Sequence, residues 1–194
     1  MGTLHVRDAR QIRSLASPLR QLVLDTLEAV GPCSVAGLAA AVGVPSDRLY
    51  YHLRALERVE LVRAGRRVRG VGRPGTEYAA AGRRSRIHYA PGDRANVAAV
   101  SAVAGGMTRA ALREFRRALT SGAVVSGGRR NLWAARRVAW LAPGDLQAVN
   151  QALVRLFALF ERRRSSEARA RPQAITIVLA PLVGRRQRHH GGTR

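Results

Sequence analysis

The chain has 194 residues, 46% of them hydrophobic, which is enough for one large domain or two small domains with an apolar core. Its 34 arginines and 12 acidic residues give a net charge of +22, so we expect a polyanionic partner such as nucleic acid or an anionic membrane surface. The single cysteine, Cys33, excludes an intramolecular disulfide, and no signal peptide or 18-residue apolar run is present, which predicts a cytoplasmic protein with no membrane span.

Two helices are predicted at the start of the chain. The first covers residues 8–15. Ser17 is the predicted N-cap of the second, with Pro18 at its first position, and Gly31-Pro32 ends it. Apolar residues recur at helical spacing along the second helix at Leu19, Leu22, Val23, Leu27 and Val30, so one face is expected to be buried.

The next segment predicts a helix-turn-helix. Ser34 caps a helix that runs to Val42, and Gly43 supplies the tight turn. Pro45 and Ser46 then open a helix over residues 46–58. This layout is typical of domains that place their second helix in the major groove of DNA.

The helix over residues 46–58 has two different faces. With Leu49 at the centre of a buried face, Leu53 and Leu56 fall on the same stripe, and the opposite side is basic and aromatic. His52 lies at the edge of the buried face, where packing or hydrogen bonding is the expected role. The predicted DNA-contacting residues of this helix are Ser46, Arg48, Tyr51, Arg54 and Arg58.

A basic β-hairpin is predicted after the helix-turn-helix. Residues 61–68 and 76–80 are its strands, and a Gly-rich loop joins them. A hairpin tip of this kind can approach the DNA backbone or the minor groove. The predicted contacts of this wing are Arg66, Arg67, Arg69 and Arg73.

The C-terminal half is the more basic part, with +17 of the charge against +5 in residues 1–82. Residues 82–86 are predicted as a linker and 87–90 as a short strand. A long helix follows over 95–119, although Gly105-Gly106 interrupts its pattern. Its predicted apolar stripe consists of Val97, Val100, Ala104, Met107, Ala111 and Phe115.

Beyond a Gly-rich loop over 121–130, residues 132–141 and 174–182 are predicted as strands, with a helix between them that starts at Pro143. Trp133 and Trp140 are expected to pack in the core or at a dimer interface; lining an effector pocket is the alternative. The predicted apolar stripe of the helix consists of Leu146, Val149, Leu153, Leu156 and Phe160.

These elements predict a mainly helical α+β fold. A winged helix-turn-helix domain over residues 8–82 is followed by a linker over 83–94 that contains a short strand. A small α+β or helical dimerisation and effector region over 95–183 and a disordered tail over 184–194 complete the predicted organisation. No phosphate-binding loop, metal-ligand spacing or catalytic constellation is found, so we expect no enzyme, no cofactor and no metal site.

The stretches LASPLRQLVLDTL and DRLYYHLRALERVELV, with the wing that follows them, resemble the ArsR-type winged helix-turn-helix transcriptional regulators over residues 10–82. The resemblance implies a homodimeric repressor that binds a pseudo-palindromic operator. It implies that binding of an effector releases the repressor from its DNA. It also implies dimerisation through terminal helices, here the segment before Ser17 and the helix from Ala95. Cys33 lacks the clustered ligands of metal-sensing members, and the long C-terminal half is similar to the larger subgroup with an added domain.

The sequence therefore predicts a homodimeric, sequence-specific regulator of double-stranded DNA, with an effector of unknown identity. Two alternatives stay open. The charge of the C-terminal half favours a non-specific architectural nucleic-acid-binding protein. A winged helix can also dock another protein, and such an interaction module would lack DNA affinity at moderate salt.

Overall fold

A computed structural model of the protein describes residues 2–69, 74–160 and 172–182. These residues have a mixed α+β fold in which helices predominate, and a short 3-10 turn at Gly127–Arg129 follows the longest helix. In chain order the elements are β1 (Thr3–Val6), α1 (Ala9–Ser14), α2 (Pro18–Val30), β2 (Cys33–Ser34), α3 (Val35–Val42), α4 (Ser46–Glu57), β3 (Val62–Arg69), β4 (Pro74–Ala80), β5 (Arg84–Ile87), α5 (Arg94–Thr120) and α6 (Pro143–Phe160).

The ends of the first helices follow the capping residues in the sequence. Asp8 caps α1 by accepting a hydrogen bond from the Arg10 backbone N–H at 2.7 Å. The Ser34 hydroxyl caps α3 by accepting from the Gly37 N–H at 3.2 Å. Gly43 ends α3 in a left-handed conformation with φ of +71°, which confirms the predicted turn.

Two small sheets form. β2, β4 and β3 make an antiparallel sheet in that order, and its β3–β4 hairpin is the predicted wing. β1 and β5 pair in parallel, from Thr3 opposite Arg84 to Val6 opposite Ile87. The predicted linker at 82–86 and strand at 87–90 are therefore wrong in detail, because β1, whose four residues give almost no period-2 signal, supplies a strand partner at 84–87.

One hydrophobic core joins the helix-turn-helix to its flanking elements. Its most enclosed members on α2, α3 and α4 include Leu27, Leu38 and Leu53, each at most 1% exposed. β1 contributes Val6, and α5 contributes Ala99 and Val103. The core therefore includes side chains from both sides of the predicted 8–82 range.

The helix α5 continues through Gly105-Gly106 without a break. Its buried face consists of Asn96, Ala99, Val103 and Gly106, whereas Val97 is 45% exposed. The predicted stripe is thus offset from the buried face by about one residue, or 100° of rotation, although Val100 and Met107 are partly buried and pack against the core. The close approach that requires glycine at position 106 places that face against the core.

The C-terminal half packs differently from the prediction. The helix α6 forms as expected, but residues 132–141 and 172–182 have no strand partner among the described residues. Trp133 and Trp140 are 70% and 71% exposed, so neither packs in the core of this chain. The predicted strands are wrong for the single chain, because neither segment pairs with a strand among the described residues.

Candidate nucleic-acid interface

The helix α4 is buried on one face and exposed on the other. Leu49, Leu53 and Leu56 are 0% exposed and anchor it to the core. Contacts with α1, α2, α3 and β3 hold this face in place. The outward face is therefore presented on a fixed helix, as groove recognition requires.

The outward face carries the predicted arginines. Arg48, Arg54 and Arg58 are exposed, Tyr51 is 64% exposed, and Ser46 is half-buried at the first position of the helix. The Arg58 Nε donates a hydrogen bond to the Arg54 carbonyl oxygen at 3.3 Å, at the C-terminal end of the helix. The structure thus brings the five predicted residues to the outer side of α4, to its start, or, for Arg58, to the C-cap that follows it.

His52 lies between this face and the core. It is half-buried, its ring meets the Tyr51 ring edge-on at 5.3 Å between centroids, and its Nδ1 has no hydrogen-bond partner among the described residues. Burial, followed by the nearby charges of Arg20 and Arg48, lowers the pKa of His52. The lowered pKa favours the neutral imidazole, and the contact with Tyr51 agrees with the packing interpretation.

The wing lies against α4 at Tyr78. This β4 residue is 8% exposed, and burial raises the pKa of its phenol, followed by the charge of Glu57 and by Tyr50. The charge of Arg54 on α4 opposes that rise in the pKa. The packing of α4 on β3 joins the helix to the wing.

The β3–β4 hairpin carries the second group of predicted contacts. Arg66 is exposed, and the register of the hairpin shifts between Ala64 and Arg67. In the backbone register, Arg67 lies opposite Thr76 and Arg69 lies opposite Pro74. Arg73 lies outside the described residues.

The exposed arginines of α4 and of the hairpin form no salt bridge with an acidic side chain of the described residues. Among the described residues a salt bridge joins Arg10 to Asp8 at 3.2 Å, far along the chain from α4. Arg48, Arg54, Arg58 and Arg66 therefore have no carboxylate partner in the part of the chain that the structure shows. Such a surface has a positive potential that attracts phosphate groups.

Two exposed residues at this surface were not predicted. Tyr50 is 46% exposed beside Arg54, and Arg63 is exposed on β3. The helical wheel could have indicated Tyr50, since it lies 100° from Leu49. The strand period could not assign Arg63, because the register shift after Ala64 interrupts the alternation of faces.

The same described residues gather no group of three His, Cys, Asp or Glu side chains that could hold a metal ion. Cys33 is half-buried, and burial, followed by the charge of Glu77, raises the pKa of its thiol. No helix that the structure describes combines the length and the apolarity needed to cross a bilayer.

Comparison with known proteins identifies the part of the chain that carries this surface. Residues 15–63 match the family model described as a helix-turn-helix domain. A search of curated proteins found no match to the chain. The matched range runs from the end of α1 to the start of β3 and includes all of α4. A helix-turn-helix domain with this exposed basic helix supports a DNA-binding transcription regulator.

Proposed function

We propose that the protein is a homodimeric, ArsR-type transcriptional repressor that binds a specific site in double-stranded DNA. Each copy inserts α4 into a major groove and lays the β3–β4 wing along the flanking backbone. The observation that carries this proposal is the distribution of residues on α4, with leucines enclosed on one face and uncompensated arginines on the other.

The side chains of α4 divide into two roles. Arg48 and Arg54 read bases, because a guanidinium can donate two hydrogen bonds to guanine O6 and N7. Tyr51 meets a phosphate or a thymine methyl group. Ser46 lies where the backbone N–H groups at a helix start favour a phosphate, and Arg58 meets the backbone at the other end.

The wing supplies contacts that do not depend on base sequence. Arg66, Arg67, Arg69 and Arg73 are assigned to phosphates or the minor-groove edge. The proximity of the hairpin to α4 is supported by the packing of α4 on β3.

Two copies read two half-sites about one helical turn apart. In this assignment residues 8–82 bind DNA and residues 95–183 hold the copies together. The protein acts by binding rather than by catalysis.

The test is binding to DNA from upstream of the protein's own gene, compared with random DNA, over a series of salt concentrations. We expect a preference of about 10³-fold or more that persists near physiological salt. Equal and steeply salt-dependent binding to both DNAs would favour the architectural alternative. Absence of binding to either DNA would favour a protein-docking module.

A matched pair of variants separates recognition from bulk charge. The double variant Arg48→Ala/Arg54→Ala should lose most of the preference for the specific site. Arg113→Ala/Arg116→Ala removes the same charge from exposed positions of α5 and should keep that preference. An equal loss in both would contradict base reading by α4.

A further inference from the structure

The second half of the chain leaves its apolar side chains uncovered. Beyond Gly106, no described residue is buried. Large hydrophobic residues are exposed along the segment that precedes α6, on α6 itself and on the segment near the C-terminus. Those that are at least 40% exposed between residues 130 and 182 are Trp133, Val138, Trp140, Leu141, Leu146, Val154, Leu159, Phe160, Val178, Leu179 and Leu182.

Two stretches also leave their backbone groups unpaired. Residues 132–141 and 172–182, here named the open segments, form no helix or strand, and neither exchanges a backbone hydrogen bond with another backbone group of the described chain. Both have strand-forming sequences, including AITIVLAPL. Unpaired backbone in an apolar, strand-forming sequence is a template for pairing with another strand.

The total solvent-accessible area shows how much more surface this chain exposes than a compact protein of the same mass. The chain exposes 15385 Å², whereas a compact protein of 21.0 kDa exposes about 9,000 Å². Even if the 28 residues outside the described ranges had the accessibility of an unfolded chain, about 4,000 Å², an excess of roughly 2,000 Å² would remain. Obligate dimers bury about 1,000–2,500 Å² on each copy, so a second copy accounts for this excess.

We propose that residues 121–160 and 172–182 form an exchanged dimer layer, in which the open segments of one copy pair with those of a second copy and cover both α6 helices. This inference rests on the homodimer of the proposed function and specifies the surface that forms it. A two-fold arrangement satisfies both copies at once, because the same uncovered surface is presented twice. The layer is separate from the α1 and α5 helices that the family resemblance implies.

Charge sets how this layer responds to salt. Four arginines lie in or just before the first open segment: Arg129, Arg130, Arg136 and Arg137. The acidic residue nearest to them along the chain is Asp145. Pairing two copies brings these arginines nearer to each other, so added salt should strengthen the dimer by screening their repulsion. Association bridged by DNA would instead weaken with salt.

The experiment measures the mass of the full chain, free of DNA, by sedimentation at low and high salt. We expect a dimer whose affinity rises with salt. Val154→Asp/Phe157→Asp places charge on apolar, exposed positions of α6 and should weaken the dimer about 100-fold or more. Ser101→Asp adds a charge at an exposed polar position of α5, outside the layer, and should leave the dimer intact. A monomeric wild-type chain would overturn the proposal.

Two measurements on the unmodified chain keep the test independent of how the variants fold. Backbone amides of the open segments should be protected from hydrogen exchange, whereas unpaired strands would exchange at unfolded-chain rates and overturn the pairing. The chain has two tryptophans, both in the first open segment, so quenching of its fluorescence reports directly on that cover. If the protein is a dimer but a soluble quencher reaches both tryptophans freely, the proposed layer would also be overturned.

These results are separable from the proposed function. A dimer with protected open segments and no DNA affinity would support the layer and contradict the regulator. A monomer that binds its DNA site would contradict the layer and leave DNA binding by α4 intact.

Discussion

A Cβ atom on Gly106 would lie 2.7 Å from the carbonyl oxygen of Ala16, so α5 crosses the α1–α2 connection at a distance that glycine permits and a larger residue does not. Gly105 is different, because a Cβ there would meet the guanidinium of Arg109 at 3.2 Å, and a flexible side chain can move away. The adjacent glycines therefore have distinct roles in one helix.

We expect Gly106→Ala to destabilise the fold by about 1–3 kcal/mol, since backbone must shift to relieve the contact with Ala16. Gly105→Ala, the matched control, should stabilise by up to about 1 kcal/mol through helix propensity. Thermal or urea unfolding of both variants checks the pair. A Gly106→Ala variant as stable as the wild type would show that the crossing is looser than described.

Asn96 is the buried polar residue that joins β5 to α5. It is 3% exposed; its Oδ1 accepts from the Ala90 N–H at 2.8 Å and its Nδ2 donates to the His88 carbonyl oxygen at 3.0 Å. We expect Asn96→Ala to cost about 1–3 kcal/mol, because two backbone groups lose their partners. Asn150→Ala, exposed on α6, is the control and should leave the unfolding free energy of the helix-turn-helix core unchanged. Comparable losses in both variants would argue against the bridging role of Asn96.

Asp25 should make stability depend on pH. Its side chain reaches solvent, yet crowding by protein atoms, followed by the charges of Glu28 and Glu114, raises its pKa to about 7. The ordinary value is 3.8, so between pH 4 and 7 the folded state binds the proton more tightly than the unfolded chain does. This carboxyl therefore stabilises the fold at low pH, and that contribution is lost as the pH rises through 7.

The corresponding variant is Asp25→Asn, which stays neutral. Its melting temperature should exceed that of the wild type at pH 8 by about 2 °C or more, and the difference should shrink towards pH 4. Glu60→Gln, which changes an exposed carboxyl, is the control and should show no such trend. A difference that is constant across pH would mean that the Asp25 carboxyl does not titrate in this range.

Arg54→Ala tests base reading by α4. We expect it to relax the preference at one position of the half-site by about 1–3 kcal/mol, because a bidentate contact to guanine is lost. Binding to a set of single-base operator variants measures this preference. Equal weakening on specific and random DNA would assign Arg54 to the backbone instead.

The wing should contribute differently. Arg66→Ala, and Arg73→Ala at the predicted tip, should weaken binding to all sequences and reduce the slope of log affinity against log salt by about 1 each. Arg86→Ala, at an exposed position of β5, is the charge-matched control and should leave the slope unchanged. An unaltered slope for Arg66→Ala would place the wing away from DNA.

The helix-turn-helix could be predicted from the sequence because the interactions that form its helices and turn join residues close together in the chain. Ser34, Gly43 and the leucines of α4 act within a turn or two of chain, so capping, a left-handed glycine and helical spacing are legible in sequence. The assignment of Arg48, Arg54 and Arg58 to the exposed face follows from the same spacing. Their DNA contacts stay a prediction.

Elements defined by distant partners could not be predicted in this way. The strand β5 exists because β1, about 80 residues earlier in the chain, lies beside it. In the sequence, Gly105-Gly106 interrupts the helical pattern of apolar residues. In the fold, Gly106 lies where α5 crosses the backbone at Ala16, and the spacing of residues cannot indicate that contact. The strands predicted at 132–141 and 174–182 failed in the single chain for the same reason, since a strand needs an edge to pair with.

The sequence by itself determined the charge, the helix-turn-helix and the face of α4 that carries its arginines, because these depend on composition and on contacts within a few turns. Tertiary structure decided the parallel pairing of β1 with β5, the buried face of α5 and the uncovered state of the C-terminal half. Those features depend on contacts between residues that are far apart in the chain, and the local spacing of apolar residues does not indicate which distant residues are in contact.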